Sequence, residues 1–437
     1  MSTRGIPKHK LSRAAKLAGT GARVGSNYAR YMASKAAGRA DSDILHDRNA
    51  RAAYEAFSTL RGGPLKVAQM LSIDENILPR QYRQQFRQAQ YSVPALSFPL
   101  AIRMFKRSLG KHPDQVFDSF TREPVNAASI GQVHRATKRG NHYAVKIQYP
   151  GVATSLESDL ALLRPIAQHI LDIEPTMLDR FMLEAKSRLL EECDYTLELR
   201  RSTGLSTASA HLSDVHFPTY YPEYSGTHVI TMDWMDGEPI DKWLARNPTK
   251  QSRDRVGQAL WDFYHFQIHH LKEFHADPHP GNFLIHDDQL IVIDFGCVKK
   301  LDPLFHKSYF RLLNPELLED SACFEECLRS LELLIETDNE NDVRLIMKTM
   351  AESISLLGRP YLEPVFDFGD NRYIESIYEI GERNRQDQGL QKLDRSRGPA
   401  ESLYINRTFF GLYSLLGEIG ARIETHLPPV AQDKQVG

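Results

Sequence analysis

Short runs that mix apolar and polar residues mark the most regular part of the chain. The segments SIGQVHRAT and HYAVKIQ, within residues 129–148, are separated by the turn KRGN. Such runs on either side of a glycine turn predict two strands joined as a hairpin. A second hairpin is predicted in residues 282–293, where NFLI and LIVI flank the turn HDDQ.

Helical patterns surround these strands. Residues 50–120 read mostly as helices, and FPLAIRMFKRSLG ends on a glycine that is typical of a helix C-cap. The pattern resumes through LDRFMLEAKSRLLEECDYTLELRR, and THVITMDWMDGEP reads as a strand that ends in a turn. Beyond Ile240 we expect helices almost throughout, apart from the second hairpin. Strands followed by helices predict a two-lobed α+β fold.

Composition places the chain among ordinary globular proteins. It has 437 residues, of which 41% are hydrophobic and 25% are charged, and its net charge of -2 gives no reason to expect nucleic acid. The four cysteines lack the spacing of a zinc site or a disulfide framework, which fits a reducing compartment. Cys323 and Cys327 are one helical turn apart, and we expect two semi-buried helix thiols.

Residues 1–40 carry nine Lys or Arg and no Asp or Glu. Three interpretations stay open: a helix on an anionic membrane surface, a cleavable organelle-targeting peptide, and a solvated basic helix. No apolar run reaches the roughly 18 residues needed to span a bilayer. We therefore expect a cytoplasmic protein, soluble or peripheral to the inner membrane, and give organelle targeting less weight.

The strongest chemical signal is FHADPHPGNFLIHDDQLIVIDFG, residues 274–296. Asp277 precedes Asn282 by the interval of the kinase catalytic loop, and the second hairpin then leads to Asp294 in a D-F-G sequence. Phosphoryl chemistry needs a carboxylate near the nucleophile, an amide oxygen on a metal, and a second carboxylate that bridges Mg²⁺ to phosphates. Asp277, Asn282 and Asp294 fit these roles in that order.

A strand lysine completes the predicted phosphate site. Lys146 in YAVKIQ is placed to neutralise phosphate oxygens, and Glu192 or Asp194 in LLEECDYTLEL is placed to hold its ammonium. The two acids are two residues apart on a predicted helix, so they should serve different cations.

THVITMDWMDGEP occupies the position of a hinge between two lobes. Met232, Trp234 and Met235 in this segment are expected to pack near an adenine. A core strand followed by a turn describes the same residues without a ligand. Position along the chain is what favours the hinge.

Five histidines near Asp277 raise the alternative of a zinc site. They lack the Glu of H-E-x-x-H and an obvious third ligand, so we expect His275 to be a packed histidine that holds the loop. A second D-F-G, Asp367-Phe368-Gly369, follows no catalytic loop and is expected to be coincidental.

Taken together, these motifs resemble the UbiB/AarF family of atypical kinase-like ATPases, from about Leu60 to NRTFFGLYSLLGEIGARI. LRGGPLKVAQMLS resembles the family's KxGQ signature, with Lys66 and Gln69 but with Ala68 in place of glycine. NAASIGQVHRA resembles its alanine-rich nucleotide loop, and ECD its ExD motif. The resemblance implies a bilobal protein-kinase-like fold with a helical N-terminal extension that covers the active site.

The same resemblance implies site roles. Lys66 and Gln69 would lie near the ExD acids, with Glu192 paired to Lys146 and Asp194 facing Lys66. ATP and Mg²⁺ are the implied cofactors. The nucleotide would contact the alanine-rich loop at Ala127, Ala128 and Ser129. Alanine prefers φ < 0, so this loop should be stiffer than one built from glycine.

These expectations define four regions: a basic segment (1–40), a helical extension (41–124), an N-lobe (125–237) and a helical C-lobe (238–437). The expected function is a Mg²⁺-dependent ATPase that supports isoprenoid quinone biosynthesis at a membrane surface. Its expected partners are a nucleotide, a lipid or quinone intermediate, and quinone-biosynthesis proteins. Two alternatives stay open: a phosphotransferase of the aminoglycoside/choline kinase type, and a nucleotide-sensing scaffold. A conventional protein kinase is disfavoured because A-P-E is absent after D-F-G.

Overall fold

The computed structural model describes residues 96–432 except 128–129, 171–174 and 394–396, together with residues 26–27, 48–49 and 51. The strands in this part of the chain are β1 (Ser119–Phe120), β2 (Asn126–Ala127), β3 (Gly131–Lys138), β4 (Asn141–Gln148), β5 (Val215–His216), β6 (Val229–Asp233), β7 (Glu238–Pro239), β8 (Glu273–His275), β9 (Phe283–His286), β10 (Gln289–Val292), β11 (Val298–Lys300), β12 (Val365–Asp367) and β13 (Arg422–Glu424).

Helices make up most of the remainder. They are α1 (Phe98–Leu109), α2 (Val152–Ile170), α3 (Pro175–Glu192), α4 (Tyr195–Ala208), α5 (Ile240–Ala245), α6 (Lys250–Phe266), α7 (Pro303–Arg311), α8 (Pro315–Glu319), α9 (Ser321–Ser330), α10 (Glu340–Leu357), α11 (Asn371–Gln386), α12 (Gln388–Lys392), α13 (Ala400–Ile419) and α14 (Pro429–Gln432). A π-helical turn, Gln267–Leu271, continues α6. The α+β fold class predicted from the sequence is confirmed.

The chain divides into two compact units. Met1–Arg200 and Thr219–Trp234 belong to the first, and Arg201–Pro218 and Met235–Gly437 to the second. Most of the predicted basic segment and helical extension, residues 1–124, lies outside the described residues.

The first unit is built on an antiparallel sheet with strand order β1-β3-β4-β6, and β2 also pairs with β3. Arg139 and Gly140 both have positive φ in the β3–β4 turn, as a tight hairpin requires, so the first predicted hairpin is confirmed. Successive side chains of a strand point to opposite faces. Val145 on β4 packs with α1 on one face, and Ala144 packs with Tyr195 of α4 on the other.

Helix α1 ends as its sequence predicts. Gly110 has φ +69°, and its N–H donates to the Lys106 carbonyl. The predicted helix through the E-C-D segment is instead broken: α3 ends at Glu192, and α4 begins at Tyr195. This break places Glu198 where it reaches Lys146.

The second unit combines helices with three small sheets. Its four-stranded sheet has the order β5-β10-β9-β7 and contains the second predicted hairpin, whose turn residues Asp287 and Asp288 both have positive φ. Helices dominate the rest of this region, as expected, but four short strands were not predicted: β8 pairs with β11, and β12 with β13. These three-residue strands pair with distant partners, so they leave no local sequence pattern.

The core of the second unit is continuous from the hairpin to the last long helix. Phe263 of α6, Phe283 of β9, Phe295 and Leu412 of α13 are completely buried in one hydrophobic cluster. Cys323 is half-buried and Cys327 is buried, both as free thiols on α9, which confirms that prediction. Among the residues described, no helix is long and apolar enough to cross a membrane.

Candidate active site

The two units hold different groups of predicted site residues, and each group is described by itself. The first unit contains Lys146, Glu192, Asp194 and Met232, and the second contains Met235, Asp277, Asn282 and Asp294. Lys66, Gln69, Ala128 and Ser129 lie outside the described residues, and so does Ala68. Ala127 is the last residue of β2.

Lys146 lies in the middle of β4, opposite Val133 and Ile230 of the neighbouring strands. Its Nζ donates to Glu198 Oε1 at 2.7 Å, and only 9% and 6% of the two side chains are exposed. The same Nζ lies 5.3 Å from the centre of the Tyr195 ring, within cation–π range. The first unit therefore presents a desolvated ammonium held by a carboxylate and an aromatic face of α4.

The acid that Lys146 bonds is thus Glu198, which was not among the predicted residues, and the expected pairing with Glu192 stays a prediction. Glu192, also buried, has its Oε1 3.9 Å from Arg188 Nε on the same helix. The contact with Glu198 follows from the break between α3 and α4. Because α4 begins afresh after Asp194, its first turn carries Glu198 to the Lys146 side of the sheet.

Asp194 has a local role at this break. Its Oδ1 accepts hydrogen bonds from the Leu197 N–H at 3.0 Å and from the Thr196 N–H at 3.1 Å. The Thr196 hydroxyl also donates to it, and this bond is the main cause of a lowered Asp194 pKa. Asp194 is therefore the N-cap of α4, whatever else it contacts.

Two further residues near Lys146 were not predicted from motifs. A Cβ on Gly131 would lie 2.7 Å from both the Ile147 carbonyl oxygen and the Tyr195 hydroxyl, so this position has no room for a side chain. Gln148 donates from Nε2 to the Cys193 carbonyl at 2.8 Å and ties β4 to the α3–α4 break. Tyr195 immediately follows the E-C-D motif, and Gly131 lies within the alanine-rich stretch NAASIGQVHRA, which were the available signals.

The predicted hinge segment begins on β6. Met232 is buried and pairs with Ala144 of β4. The Trp234 N–H donates to the His142 carbonyl at 3.0 Å, and the Arg135 guanidinium lies 4.7 Å from the Trp234 ring centre. Met235, the first residue of the second unit after this strand, is half-buried.

In the second unit, residues 276–282 form a hydrogen-bonded loop, named here the Asp277 loop. The Asp277 carbonyl accepts from the His279 N–H at 2.7 Å and from Asn282 Nδ2 at 2.9 Å. The Ala276 N–H donates to the Cys297 carbonyl at 2.8 Å, and β8 pairs with β11 directly beside this bond. These backbone hydrogen bonds thus hold the Asp277 loop against the segment that follows Asp294.

A backbone hydrogen bond joins Asn282 to the residue that precedes Asp294. The Ile293 N–H donates to the Asn282 carbonyl at 3.0 Å, and the Gly296 N–H donates to Asp294 Oδ1 at 2.7 Å. Because Asn282 Nδ2 is used on the Asp277 carbonyl, the amide oxygen is the Asn282 atom that remains for a cation. Mg²⁺ needs only one or two protein oxygens when phosphates supply other ligands, so this donor set fits it.

The nearby histidines pack and do not form a metal cage. His275 is completely buried, its N–H donates to Gln267 Oε1 at 2.9 Å, and its Nδ1 lies 3.3 Å from the Tyr264 hydroxyl. This confirms that His275 is a packed histidine, while its expected role in holding the loop stays a prediction. His269 Nδ1 lies 3.2 Å from His306 Nε2. Within the described part of the chain, no group of three or more His, Cys, Asp or Glu side chains is arranged to hold a metal ion.

The second D-F-G has the same local turn but a different setting. The Gly369 N–H donates to Asp367 Oδ1 at 2.9 Å, just as Gly296 does to Asp294. Asp367 is exposed at the end of β12, which pairs with β13 and not with a catalytic loop. A D-F-G turn alone therefore does not make a metal site.

Comparison with known proteins agrees with this geometry. A family model described as ABC1 atypical kinase-like domain matches residues 88–328. The chain is 30% identical to "Atypical kinase COQ8, mitochondrial" of Saccharomyces cerevisiae over 96% of its own length and 83% of that protein. It is 35% identical to the chloroplastic "Protein ACTIVITY OF BC1 COMPLEX KINASE 8" of Arabidopsis thaliana over 56% of this chain, but spans only 34% of that relative.

A solved structure supports the fold. The Rv3197–erythromycin complex from Mycobacterium tuberculosis superposes with a TM-score of 0.56 at 24% identity, covering 85% of this chain and 91% of that one. The kinase-like fold expected from the sequence is thereby confirmed. With the family match covering more than half of its residues, the chain belongs to the ABC1 atypical kinase-like family, the UbiB/AarF group.

Proposed function

We propose that this chain is a Mg²⁺-dependent ATP-hydrolysing enzyme of its family that supports isoprenoid quinone biosynthesis at a membrane surface. The observation that carries the proposal lies in the second unit, where Asn282 bonds the Asp277 carbonyl and also accepts from Ile293, the residue before Asp294. The similarity to kinase-like relatives also supports the proposal. In the first unit, the buried Lys146–Glu198 pair supplies the strand lysine that a kinase-like site needs.

Each residue has a defined task in this proposal. Lys146, oriented by Glu198, neutralises phosphate oxygens of the nucleotide. Asn282 and Asp294 provide oxygen ligands for Mg²⁺, which when bound offsets negative charge on the phosphates. Asp277 orients the attacking hydroxyl or water, and the backbone bonds of the Asp277 loop hold its carboxylate in place. Most of the barrier reduction would come from position and electrostatics.

ATP turnover with Mg²⁺, with and without anionic vesicles, tests the proposal. We expect Asp294→Asn to lower turnover at least tenfold, since it removes a metal-binding charge. Asp367→Asn is a matched control. It makes the same substitution in the second D-F-G sequence, which forms the same turn but does not follow the Asp277 loop, and it should leave turnover unchanged. Equal turnover by the native chain and Asp294→Asn would remove Asp294 from the metal role. Nucleotide binding without turnover in the native chain would favour the scaffold alternative.

The membrane part of the proposal is supported by two basic features. Residues 1–40 carry nine Lys or Arg without an acid. On α1, Arg103, Lys106 and Arg107 form an exposed stripe at i, i+3 and i+4, and no salt bridge joins them to an acid within the described residues. Each such cation contributes about 1 kcal/mol near anionic lipid. We propose that the chain is peripheral to a membrane.

Cosedimentation with vesicles tests this contact. Deletion of residues 1–40, and separately the triple variant Arg103→Ala/Lys106→Ala/Arg107→Ala, should reduce binding to anionic vesicles but not to neutral ones. Arg329→Ala/Arg372→Ala/Arg385→Ala removes the same charge from cations that each pair with an acid and serves as the control. Unchanged binding of both test forms would refute a role for these basic residues.

The quinone part of the proposal is tested in cells. Relatives of this chain include proteins whose names place them in mitochondria and chloroplasts. We expect cells that lack the chain to contain less isoprenoid quinone and to recover it with the native gene but not with Asp294→Asn. Normal quinone content in the deletion strain would contradict the proposal.

A further inference from the structure

Helix α13 touches the Asp277 loop at a glycine. Gly411 lies near the middle of α13, and a Cβ added there would be 2.5 Å from Pro278 Cγ, 3.5 Å from its Cδ and 3.6 Å from its Cβ. Carbon atoms in contact lie about 3.5–4.0 Å apart. The helix backbone therefore lies directly against the proline ring, with no room for a methyl group.

Pro278 cannot give way independently of the site. It follows Asp277 directly, and its ring fixes its own φ. The Asp277 carbonyl, which precedes the proline, accepts from the His279 N–H and from Asn282 Nδ2, both beyond it in the loop. A push on the Pro278 ring is therefore transmitted to the residues proposed to orient the nucleophile and bind the metal.

Helix α13 cannot easily withdraw either. Leu412 and Leu416, which follow Gly411, are completely buried. One turn before, Asn406 accepts a hydrogen bond from the Tyr309 hydroxyl, and at the helix start Lys299 Nζ lies 4.8 Å from the Tyr404 ring centre. Contacts to α7, to β11 and to the core thus fix the helix along most of its length.

We propose that α13 is a buttress of the catalytic centre and that Gly411 is a positioning residue. Its missing side chain sets how closely the helix supports Pro278, and so where the Asp277 carboxylate lies. Helix α13 falls outside the matched family domain, residues 88–328, so the proposal assigns a catalytic function to a segment beyond that domain. It rests on the proposed ATP hydrolysis.

Gly411→Ala is the direct test. Alanine normally stabilises a helix interior relative to glycine, so the expected damage would come from the contact with Pro278. Displacement by about 1 Å is enough for a roughly hundredfold loss of rate; we expect kcat for ATP to fall at least tenfold, with KM within threefold of native. Gly417→Ala on the same helix is the control, because its Cβ would meet the flexible Ile374 side chain at 3.0 Å, and kcat should stay within twofold.

A rescue experiment separates this role from general damage. Pro278→Ala removes the two nearest ring atoms and leaves a Cβ at an ordinary 3.6 Å. In that background, Gly411→Ala should cause no further loss of kcat, whereas independent effects would multiply. If Gly411→Ala alone does not fold, the double variant should recover folding. Multiplicative losses, a native kcat for Gly411→Ala, or failure of both variants to fold would overturn the proposal.

Hydrogen exchange supplies a readout that does not depend on turnover. Gly411→Ala should speed exchange of the amides of residues 276–282 in the native background but not in the Pro278→Ala background. If the native chain does not hydrolyse ATP, the proposed function fails. The exchange pattern would still show whether α13 supports the Asp277 loop. Unchanged exchange in Gly411→Ala would refute the contact as a determinant of the loop.

Discussion

The ammonium of Lys146 and the carboxylate of Glu198 are nearly excluded from water and bond each other at 2.7 Å. Glu198→Gln would leave a buried cation without this counter-charge, and loss of one partner of a buried pair costs about 3–5 kcal/mol. We expect ATP turnover to fall at least tenfold and the urea midpoint to decrease. Glu157→Gln, which removes an exposed acid paired with Lys186, should change neither. Native turnover in Glu198→Gln would contradict the role given to the pair.

Three packed histidines, the buried His306 and the half-buried His265 and His269, make stability depend on pH. Burial, reinforced by nearby His265, His306 and Lys272, lowers the pKa of His269 to about 2, and burial lowers the pKa of His265 and His306 to about 4. The folded state holds these rings neutral, whereas unfolded imidazoles bind protons near pH 6.5. Their contribution to stability is therefore complete above about pH 6.5 and is lost as pH falls towards 4.

Urea unfolding at pH 7.5, 6.0 and 5.0 measures this dependence. Each ring contributes a slope of up to about 1.4 kcal/mol per pH unit below pH 6.5. His269→Asn should give a shallower slope than the native chain, even if it is less stable at pH 7.5. His112→Asn, which changes a half-exposed ring of the first unit, should keep the native slope. An identical slope in His269→Asn would show that this ring does not control the acid response.

At the scale of elements, the β3–β4 hairpin and α4 meet at Gly131. A methyl group there would press on the Ile147 carbonyl and on the hydroxyl of Tyr195, whose ring lies beneath Lys146. We expect Gly131→Ala to lower the free energy of unfolding by about 1–3 kcal/mol, the usual cost of overpacking, and to weaken nucleotide binding. Gly204→Ala on α4 has no atom within 4 Å of its Cβ and should be neutral or stabilising. Equal stability of the two variants would argue against close packing at Gly131.

Two substitutions of Asp194, the N-cap of α4, distinguish a structural role of this residue from a catalytic one. Asp194→Ala removes the acceptor for two backbone N–H groups and should cost about 1 kcal/mol, measured by urea unfolding. Asp194→Asn keeps an oxygen at the cap and should be nearly as stable as the native chain. If Asp194→Asn is stable but has lost turnover, its charge has a second role, as the family resemblance implies. Native turnover in Asp194→Asn would restrict Asp194 to capping.

Local sequence signals account for the elements that were predicted. The two hairpins and the end of α1 depend on turn and cap residues that lie within the elements themselves, such as Gly110 and Asp287. Glu198 was missed because the helix was read as continuous through the E-C-D segment. An aspartate that starts a new helix was the overlooked signal. The short strands β8 and β11 were missed because their pairing is set by distant residues, although they align the Asp277 loop with the segment after Asp294.

At the scale of the molecule, the matched family domain is not the whole of the second unit. Residues 88–328 match the family model, but the hydrophobic cluster that holds Phe283 and Phe295 of the candidate site continues into Ile405, Leu412 and Leu416 of α13. Sequence motifs locate the chemistry in the first part. The motifs carry no information on how α13 packs against the candidate site, because the buried apolar positions of a helix have the same sequence pattern wherever the helix packs.

A chain that ends at residue 397 should therefore fail to form a stable second unit. Leu412→Ala is the graded form of the same change: Leu412 is completely buried, and such truncations cost about 2–5 kcal/mol. We expect urea unfolding to show this loss, while Glu375→Ala, at an exposed position of α11, should stay within about 0.5 kcal/mol of native. The shortened chain should be cleaved rapidly by protease within residues 250–300, since the core around α6 and β9 would lose one wall. Native-like protease resistance in residues 250–300 would show that the second unit folds without α13. The role of that helix would then be limited to its contact with Pro278.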